Sequence, residues 1–179
     1  MPEVGKIIAA LGQLLEKLGG AELIAARIDQ RAQEVQSRAA NNKFRGVADR
    51  TGQVRERLTE IRVGLAGVVA TVTSAAETTR GVTGQMSPAD VVSTLSPVAD
   101  RISSASTAAS GLLAESNRLK GQIETVLRGG RPGPLTAMVD EMKHAVVAAV
   151  GGLVVAEKWT NEAIEEARQT GNFTVGVAA

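Results

Sequence analysis

The stretch VADRTGQVRERLTEIRVGLAGVVATVTSAAETTRGV, residues 47–82, decides the fold of this 179-residue chain. Apolar and small residues recur in it at alternating steps of three and four, which is the spacing of one buried stripe along a helix. Five heptads of this kind favour a long helix with coiled-coil-like packing. We expect the helix to end near Gly81 and Gly84. Its stripe consists of Val47, Thr51, Val54, Leu58, Ile61, Leu65, Val68, Val72, Ala75, Thr79 and Val82.

The same period predicts a helix on the N-terminal side of this stretch, over residues 3–40. We expect this helix to be kinked or broken at Gly19-Gly20, because glycine weakens a helix interior. It should end at Asn41-Asn42-Lys43, since asparagine tolerates the left-handed conformation of a helix end.

Two further helices are predicted on the C-terminal side. Ser87-Pro88-Ala89-Asp90 has the capping serine, first-turn proline and acidic residue that start a helix, and its stripe runs to Val126. Pro97 should bend this helix or mark its true start. After a loop over 129–134, the last helix begins at Leu135 and stops near Gly171, where we expect the tail to be frayed or docked through Phe173.

Short turns make consecutive helices antiparallel, and stripes of this period pack at about 20°. We therefore predict an all-α fold, an elongated up-down four-helix bundle forming one domain over residues 1–179. It divides into a hairpin over 1–85, a hairpin over 86–171 and a tail over 172–179. The turn positions also predict the register, with Arg57 opposite Glu115 and Ile28 opposite Leu58.

Composition excludes several kinds of site. The chain has no cysteine, one histidine and only three aromatic residues, so thiolate chemistry and multi-histidine metal sites are excluded. His144 is a lone imidazole beside an apolar run, and we interpret it as a surface residue. Glu162, Glu165 and Glu166 are interpreted as a solvated acidic face. We expect no enzyme activity, no metal, no cofactor and no small-molecule substrate.

Charge argues against a nucleic-acid partner, because the net charge is only +1. Residues 1–85 hold 12 basic and 9 acidic side chains, whereas residues 86–179 hold 8 and 10, and we interpret this gradient as helix faces that match one another. Five arginines in and just before the deciding stretch should pair with carboxylates of this chain or of a partner rather than with phosphates. They are Arg45, Arg50, Arg55, Arg57 and Arg62.

Glycine and apolar runs leave one alternative open. Gly64-x-x-Gly67 and Gly151-Gly152 lie inside helical segments, where we expect them to permit close helix–helix approach. The runs Val63–Val72 and Ala145–Ala156 suit a hairpin released into a membrane, although the longer has 12 residues and a spanning helix needs about 20. We expect no membrane partner and no cleavable signal peptide, and hence a cytoplasmic protein or one secreted without such a peptide.

The first turn reads Asn41-Asn42-Lys43-Phe44-Arg45-Gly46. An aromatic residue, any residue and glycine between two helices of about 40 residues resembles the W-x-G helical-hairpin family of type VII secretion substrates, the early secreted antigen type. The resemblance covers residues 1–85 and implies paired helical hairpins, with residues 86–179 as a second, fused hairpin. Phe44 replaces the family's tryptophan, and the chain has no tyrosine for the family's export signal.

We therefore expect a non-enzymatic helical protein that acts by association, as a type VII secretion-like partner or helper of a toxin-type effector. Its candidate partner-binding residues are Phe44, Arg45 and Gly46 in the first turn, with Trp159 and Phe173 towards the C-terminus. A homo-oligomeric structural coiled-coil protein and a membrane-active helical protein are the two alternatives.

Overall fold

The computed structural model describes residues 2–128 and 132–176, with side chains over 3–128 and 132–171. Its four helices are α1 (Pro2–Asn41), α2 (Arg45–Arg80), α3 (Pro88–Val126) and α4 (Gly133–Gly176). At 1.5 Å per residue they are about 54 to 66 Å long. Each helix packs along two neighbours in the cyclic order α1, α2, α3, α4. The predicted elongated four-helix bundle is confirmed.

The core is the set of predicted stripes. Every stripe residue of α2 is buried except the first, Val47, and every stripe residue of α4 from Leu135 to Ala167 is buried. Aliphatic and alanine side chains therefore fill the interior, as the near absence of aromatic residues requires. The largest fully buried side chains are Ile7, Leu11, Leu14, Leu18, Ile28, Leu58, Ile61, Leu65, Leu95, Ile102, Leu119 and Ile123.

Ion pairs between neighbouring helices record the register. Arg57 Nη1 lies 3.7 Å from Glu115 Oε2, so the predicted pairing of α2 with α3 is confirmed. Between α1 and α2, Arg55 Nε lies 2.8 Å from Asp29 Oδ1. These pairs join partly exposed side chains at the edges of the stripes. They therefore indicate the register of the helices but contribute little to the stability of the fold.

Two predicted helix ends are confirmed. The backbone N–H of Asp90 donates to Ser87 Oγ at 3.2 Å, and Pro88 occupies the first turn of α3. The helix α2 ends at Arg80, with Gly81 as its C-cap. Pro97 lies inside α3, so its interpretation as the start of that helix is wrong. Its exposed ring places the missing backbone donor on the solvent side, where water can serve the freed carbonyl.

A predicted break at Gly19-Gly20 and a predicted helix end near Gly171 are wrong. The helix α1 continues through Gly19-Gly20, because Leu18 and Ala21 on either side are fully buried and hold the backbone helical. The helix α4 continues through Gly171 to Gly176 instead of stopping near Gly171. A Cβ built on Gly171 would lie 3.5 Å from Pro88 Cβ, so the start of α3 packs against this part of α4. Of the predicted 129–134 loop, residues 129–131 lie outside the described residues and Gly133 and Pro134 are helical.

The four glycines predicted to permit close approach divide into two groups. A Cβ on Gly64 would lie 2.6 Å from Leu112 Cδ2, so α2 and α3 approach closely there. On Gly152 it would lie 3.4 Å from Leu14 Cδ1, an ordinary contact between α4 and α1. On Gly67 or Gly151 it would meet nothing within 4 Å, so close approach within the bundle does not explain these two.

Gly64 and Gly67 give a matched pair of substitutions on one helix. Gly67→Ala should raise the free energy of unfolding by about 0.5 to 1 kcal/mol, because alanine restricts the unfolded chain and meets open space. Gly64→Ala must displace Leu112 and should be about 1 to 3 kcal/mol less stable than Gly67→Ala. Urea denaturation measures both. Equal stability of the two variants would contradict the close contact between Gly64 and Leu112.

One ion pair between α3 and α4 shifts the titration of both partners. Lys120 Nζ donates to Asp140 Oδ2 at 2.6 Å, and Lys143 Nζ lies 3.8 Å from Asp140 Oδ1. The hydrogen bond from Lys120 lowers the pKa of Asp140 and raises the pKa of Lys120. Because the folded-state pKa of Asp140 is depressed, its contribution to stability is present above the ordinary aspartate value and is lost as pH falls through the lower folded value.

Lys120→Met should therefore make stability fall less steeply than in the wild type as the pH is lowered through about 4, the region in which carboxylates titrate. Thermal unfolding followed by circular dichroism between about pH 6 and pH 3 measures the slope. The control is Lys158→Met, because Lys158 lies 3.8 Å from Glu162 within one helix and bridges no pair of helices. Parallel profiles for the wild type and Lys120→Met would contradict the proposed role of the pair.

Candidate partner-binding surfaces

The described residues hold no cluster of three or more acidic or histidine side chains that could bind a metal ion. His144 is exposed on α4, where the interpretation as a surface residue places it, and Glu162, Glu165 and Glu166 are exposed on the same helix. These four titratable side chains thus lie on the solvent side of α4 rather than in an enclosed site.

The Phe44 turn is built by hydrogen bonds that end α1 and begin α2. The N–H of Phe44 donates to the Ala39 carbonyl at 2.8 Å, and the N–H of Lys43 donates to the Ala40 carbonyl at 3.1 Å. These are the two bonds of a Schellman motif. Lys43 takes the left-handed conformation with φ 62°, so the expectation that an asparagine would do so is wrong. The carbonyl of Phe44 then accepts from the N–H groups of Val47 and Ala48.

This motif leaves the Phe44 side chain in solvent, with 64% of its surface exposed. Arg45 and Gly46 are exposed beside it. A Cβ on Gly46 would meet only Arg50 Nη2 at 3.6 Å, so the fold does not require glycine at this position. A large apolar ring at the tip of a turn contributes little to the core, because most of its surface still contacts water.

Exposed cations share the end of the bundle that holds Phe44. Arg38, Lys43, Arg45, Arg50 and Arg128 are exposed near this end, and none of them takes part in an ion pair with another described residue. The guanidinium of Arg50 donates from Nε to the Gly46 carbonyl at 3.1 Å. We call this surface, Phe44 with these five cations, the Phe44 end.

Three other arginines of α2 have carboxylate partners. Arg55 and Arg62 share Asp29, at 2.8 and 3.9 Å, and Arg57 faces Glu115 at 3.7 Å. The prediction that the arginines of α2 pair with carboxylates is thus confirmed for these three. Arg45 and Arg50 at the start of the helix, and Arg80 at its end, make no such pair among the described residues.

Charge is also separated along the rod. The described residues at the Phe44 end, 36–50, 124–128 and 132–139, contain five basic and two acidic residues. The described residues at the opposite end, 2–9, 77–94 and 159–176, contain three basic and six acidic residues. The bundle therefore has a cationic end and an anionic end, in addition to the difference in net charge between its two hairpins.

Trp159 lies near the anionic end and is half-buried against the core. Lys6 Nζ lies 4.2 Å from the centre of its ring and Lys158 Nζ lies 5.2 Å from it, so the indole contacts cations of its own chain. Lys6 lies 35 residues before Asn41, the last residue of α1, so about 52 Å of helix separates it from the turn that holds Phe44. The structure therefore does not bring Trp159 together with the Phe44 turn. The side chain of Phe173 lies outside the described residues.

A third surface lies on the outer face of α4, and its residues were not among the predicted partner-binding residues. Val147, Val154 and Val155 are 54%, 57% and 47% exposed, and Ala148 and Gly151 between them are also exposed. The sequence signal was the run Ala145–Ala156, which is apolar at outward as well as inward positions. Among the described residues one helix, α2 (Arg45–Arg80), is long and apolar enough to cross a membrane by length and composition alone.

Residues 86–172 match the model of a family described as "Family of unknown function (DUF6244)". The match covers slightly less than half of the chain and takes in α3 and α4 as far as residue 172. The chain is thus similar to this family over its second hairpin. No curated protein and no solved structure matched the chain.

Lys43→Gly should raise the free energy of unfolding by about 0.5 to 1 kcal/mol, because glycine adopts a positive φ without the steric cost that lysine bears. Asn42→Gly is the matched control, since Asn42 has no positive φ and gains nothing from glycine. Urea denaturation of both variants tests the turn geometry. A Lys43→Gly variant no more stable than Asn42→Gly would contradict a left-handed Lys43.

Proposed function

We propose that this chain is a non-enzymatic protein that acts by binding a partner protein through the Phe44 end. The observation that carries the proposal is the exposed aromatic ring within a group of cations without ion-pair partners in the described part of the chain. Buried aromatic and arginine side chains carry much of the binding energy at protein interfaces. Here both residue types stand in solvent at one tip of the molecule.

The chemistry of this surface defines its partner. Five cations favour a partner that presents carboxylates, and Phe44 favours an apolar pocket among them. Long-range attraction between such surfaces increases the association rate and weakens with salt. A helical protein with an acidic tip or groove has both features.

The resemblance of residues 1–85 to the W-x-G family adds a direction to this proposal. It implies that the partner is a second helical hairpin protein or a larger effector exported with it. The bundle of two hairpins supports the architecture that the resemblance implies. Export, and a role as helper of a toxin-type effector, belong to the proposal through this resemblance alone.

Photo-crosslinking in the organism that encodes the chain tests the proposal. A photoreactive phenylalanine analogue replaces Phe44 in one variant and Val63, which is 68% exposed at the middle of α2, in the control. We expect a protein adduct at position 44 that is absent at position 63. An adduct at neither position, or equally at both, would contradict binding through the Phe44 end.

Binding of the identified partner gives the second measurement. Phe44→Ala should raise the dissociation constant, measured by calorimetry, about 10- to 100-fold, the range of an interface hot spot. Arg45→Glu should also raise the dissociation constant, and the increase should be larger at low salt than at high salt. The fluorescence of Trp159, the only tryptophan in a chain without tyrosine, should stay unchanged because about 52 Å of helix separates its contact Lys6 from the Phe44 turn. A change in Trp159 emission with no effect of Phe44→Ala would place the partner at the other end.

A further inference from the structure

The outward residues at the middle of α4 form one exposed face centred on Gly151. The exposed positions are 144, 147, 148, 151, 154, 155 and 158, so the spacing is the same in both directions from Gly151. The inner five are all apolar or glycine: Val147, Ala148, Gly151, Val154 and Val155. His144 and Lys158 lie at the two ends of this outward stripe, which we call the α4 stripe and which is distinct from the buried stripe of the same helix.

From the exposed apolar stripe, the glycine at its centre and the charges at its ends we infer that the α4 stripe is a contact between two copies of the chain, crossing antiparallel with Gly151 on the two-fold axis. The two-fold makes each copy present the same surface to the other. Val147 then lies opposite Val155 of the second copy, and Ala148 lies opposite Val154 of the second copy. Apolar side chains meet along the whole stripe.

Gly151 supplies an independent reason for such a crossing. Glycine inside a helix costs about 1 kcal/mol relative to alanine. A Cβ on Gly151 would meet nothing within 4 Å, so packing inside the bundle does not explain the glycine. At the proposed crossing point, the missing side chain lets the two helix backbones approach closely.

Neighbouring helices keep the surface around the stripe nearly free of charge. The 2.6 Å contact of Lys120 with Asp140 sets the register of α3 against α4, and it places Ala109 at the level of Gly151. Between Arg101 and Glu115, α3 has no charged residue. On the other side, a shallow groove of about 290 Å³ between α1 and α4 is lined by Ala10, Gln13, Leu14, Lys17, Ala148, Gly151, Gly152 and Val155. Depletion of charge is typical of the centre of a protein interface.

Charge at the two ends of the stripe favours the antiparallel arrangement. In it, Lys158 of one copy lies within one helical turn of Glu141 of the second copy, and the two-fold axis repeats the pair. Glu141 is exposed and takes part in no ion pair with another described residue. A parallel crossing would instead set Lys158 against Lys158 and Glu141 against Glu141.

A second copy fits this surface better than a lipid bilayer does. The uncharged run of α4 spans 12 residues, or about 18 Å, whereas the hydrocarbon core is about 30 Å thick. At the same level, α3 exposes the hydroxyl residues Ser103, Ser104, Thr107 and Ser110. Hydroxyl groups suit the rim of a protein contact but lose hydration in hydrocarbon.

Sedimentation equilibrium of the wild-type chain over about 1 to 500 µM tests the association, since a contact of this small area should be weak. We expect a concentration-dependent dimer. Val154→Glu should shift the dimerisation constant at least tenfold towards monomer, because it introduces a charge beside the two-fold axis. Val63→Glu, at a position 68% exposed on α2, is the control and should dimerise as the wild type does. Circular dichroism checks that both variants are folded.

Cysteine pairing tests the orientation, because the natural chain has no cysteine. Val147→Cys and Val155→Cys variants, one carrying a mass tag, are mixed and treated with diamide to oxidise paired thiols. The antiparallel crossing predicts that mixed dimers exceed both homodimers, whereas a parallel crossing predicts homodimers. A monomer at every concentration, an excess of homodimers, or flotation with phosphatidylglycerol vesicles that Val154→Glu abolishes would each overturn the proposal.

Discussion

Burial of one narrow apolar stripe on each of four helices is the constraint on which the rest of the structure depends. Each stripe consists of leucine, isoleucine, valine and alanine at steps of three and four, and each fully buried large aliphatic side chain contributes about 1.5 to 3 kcal/mol. Alanines such as Ala25, Ala75, Ala109 and Ala149 alternate with these larger residues. A core of this kind has little space for rings, and the two aromatic side chains that the structure describes, Phe44 and Trp159, lie outside its fully buried set.

The stripes made most of the fold predictable from the sequence. Their phase gave the buried positions, and the turns gave the register that places Arg57 against Glu115. The failures occurred where tertiary packing outweighs local preference. Gly19-Gly20 and Gly171 stay helical because neighbouring stripe residues, or the start of α3, hold the backbone. Lys43 adopts the left-handed conformation because the hydrogen bonds of the turn, rather than residue type, set its φ.

The candidate site was predictable only in part, because exposure depends on helix–helix packing. Phe44 was expected at a turn, and the structure places it there in solvent. Trp159 was predicted as a partner-binding residue for the same reason. In the structure, however, Lys6 and Lys158 contact its ring and the ring is half-buried against the core. The α4 stripe was hidden within an apolar run, because one sequence cannot show which of its residues face outward until the neighbours of α4 are known. The polarity of charge along the rod likewise depends on knowing which helix ends lie together.

The proposed function places the binding site for a partner protein at the Phe44 end of the bundle. Hydrogen–deuterium exchange, measured with and without the partner captured at position 44, tests that claim most directly because every backbone amide reports separately. The account predicts slower exchange confined to residues around 38–50 and 124–136, with no change along the middle of the helices or around Trp159. Protection centred on the middle of α4 or on the anionic end, with none around Phe44, would contradict it.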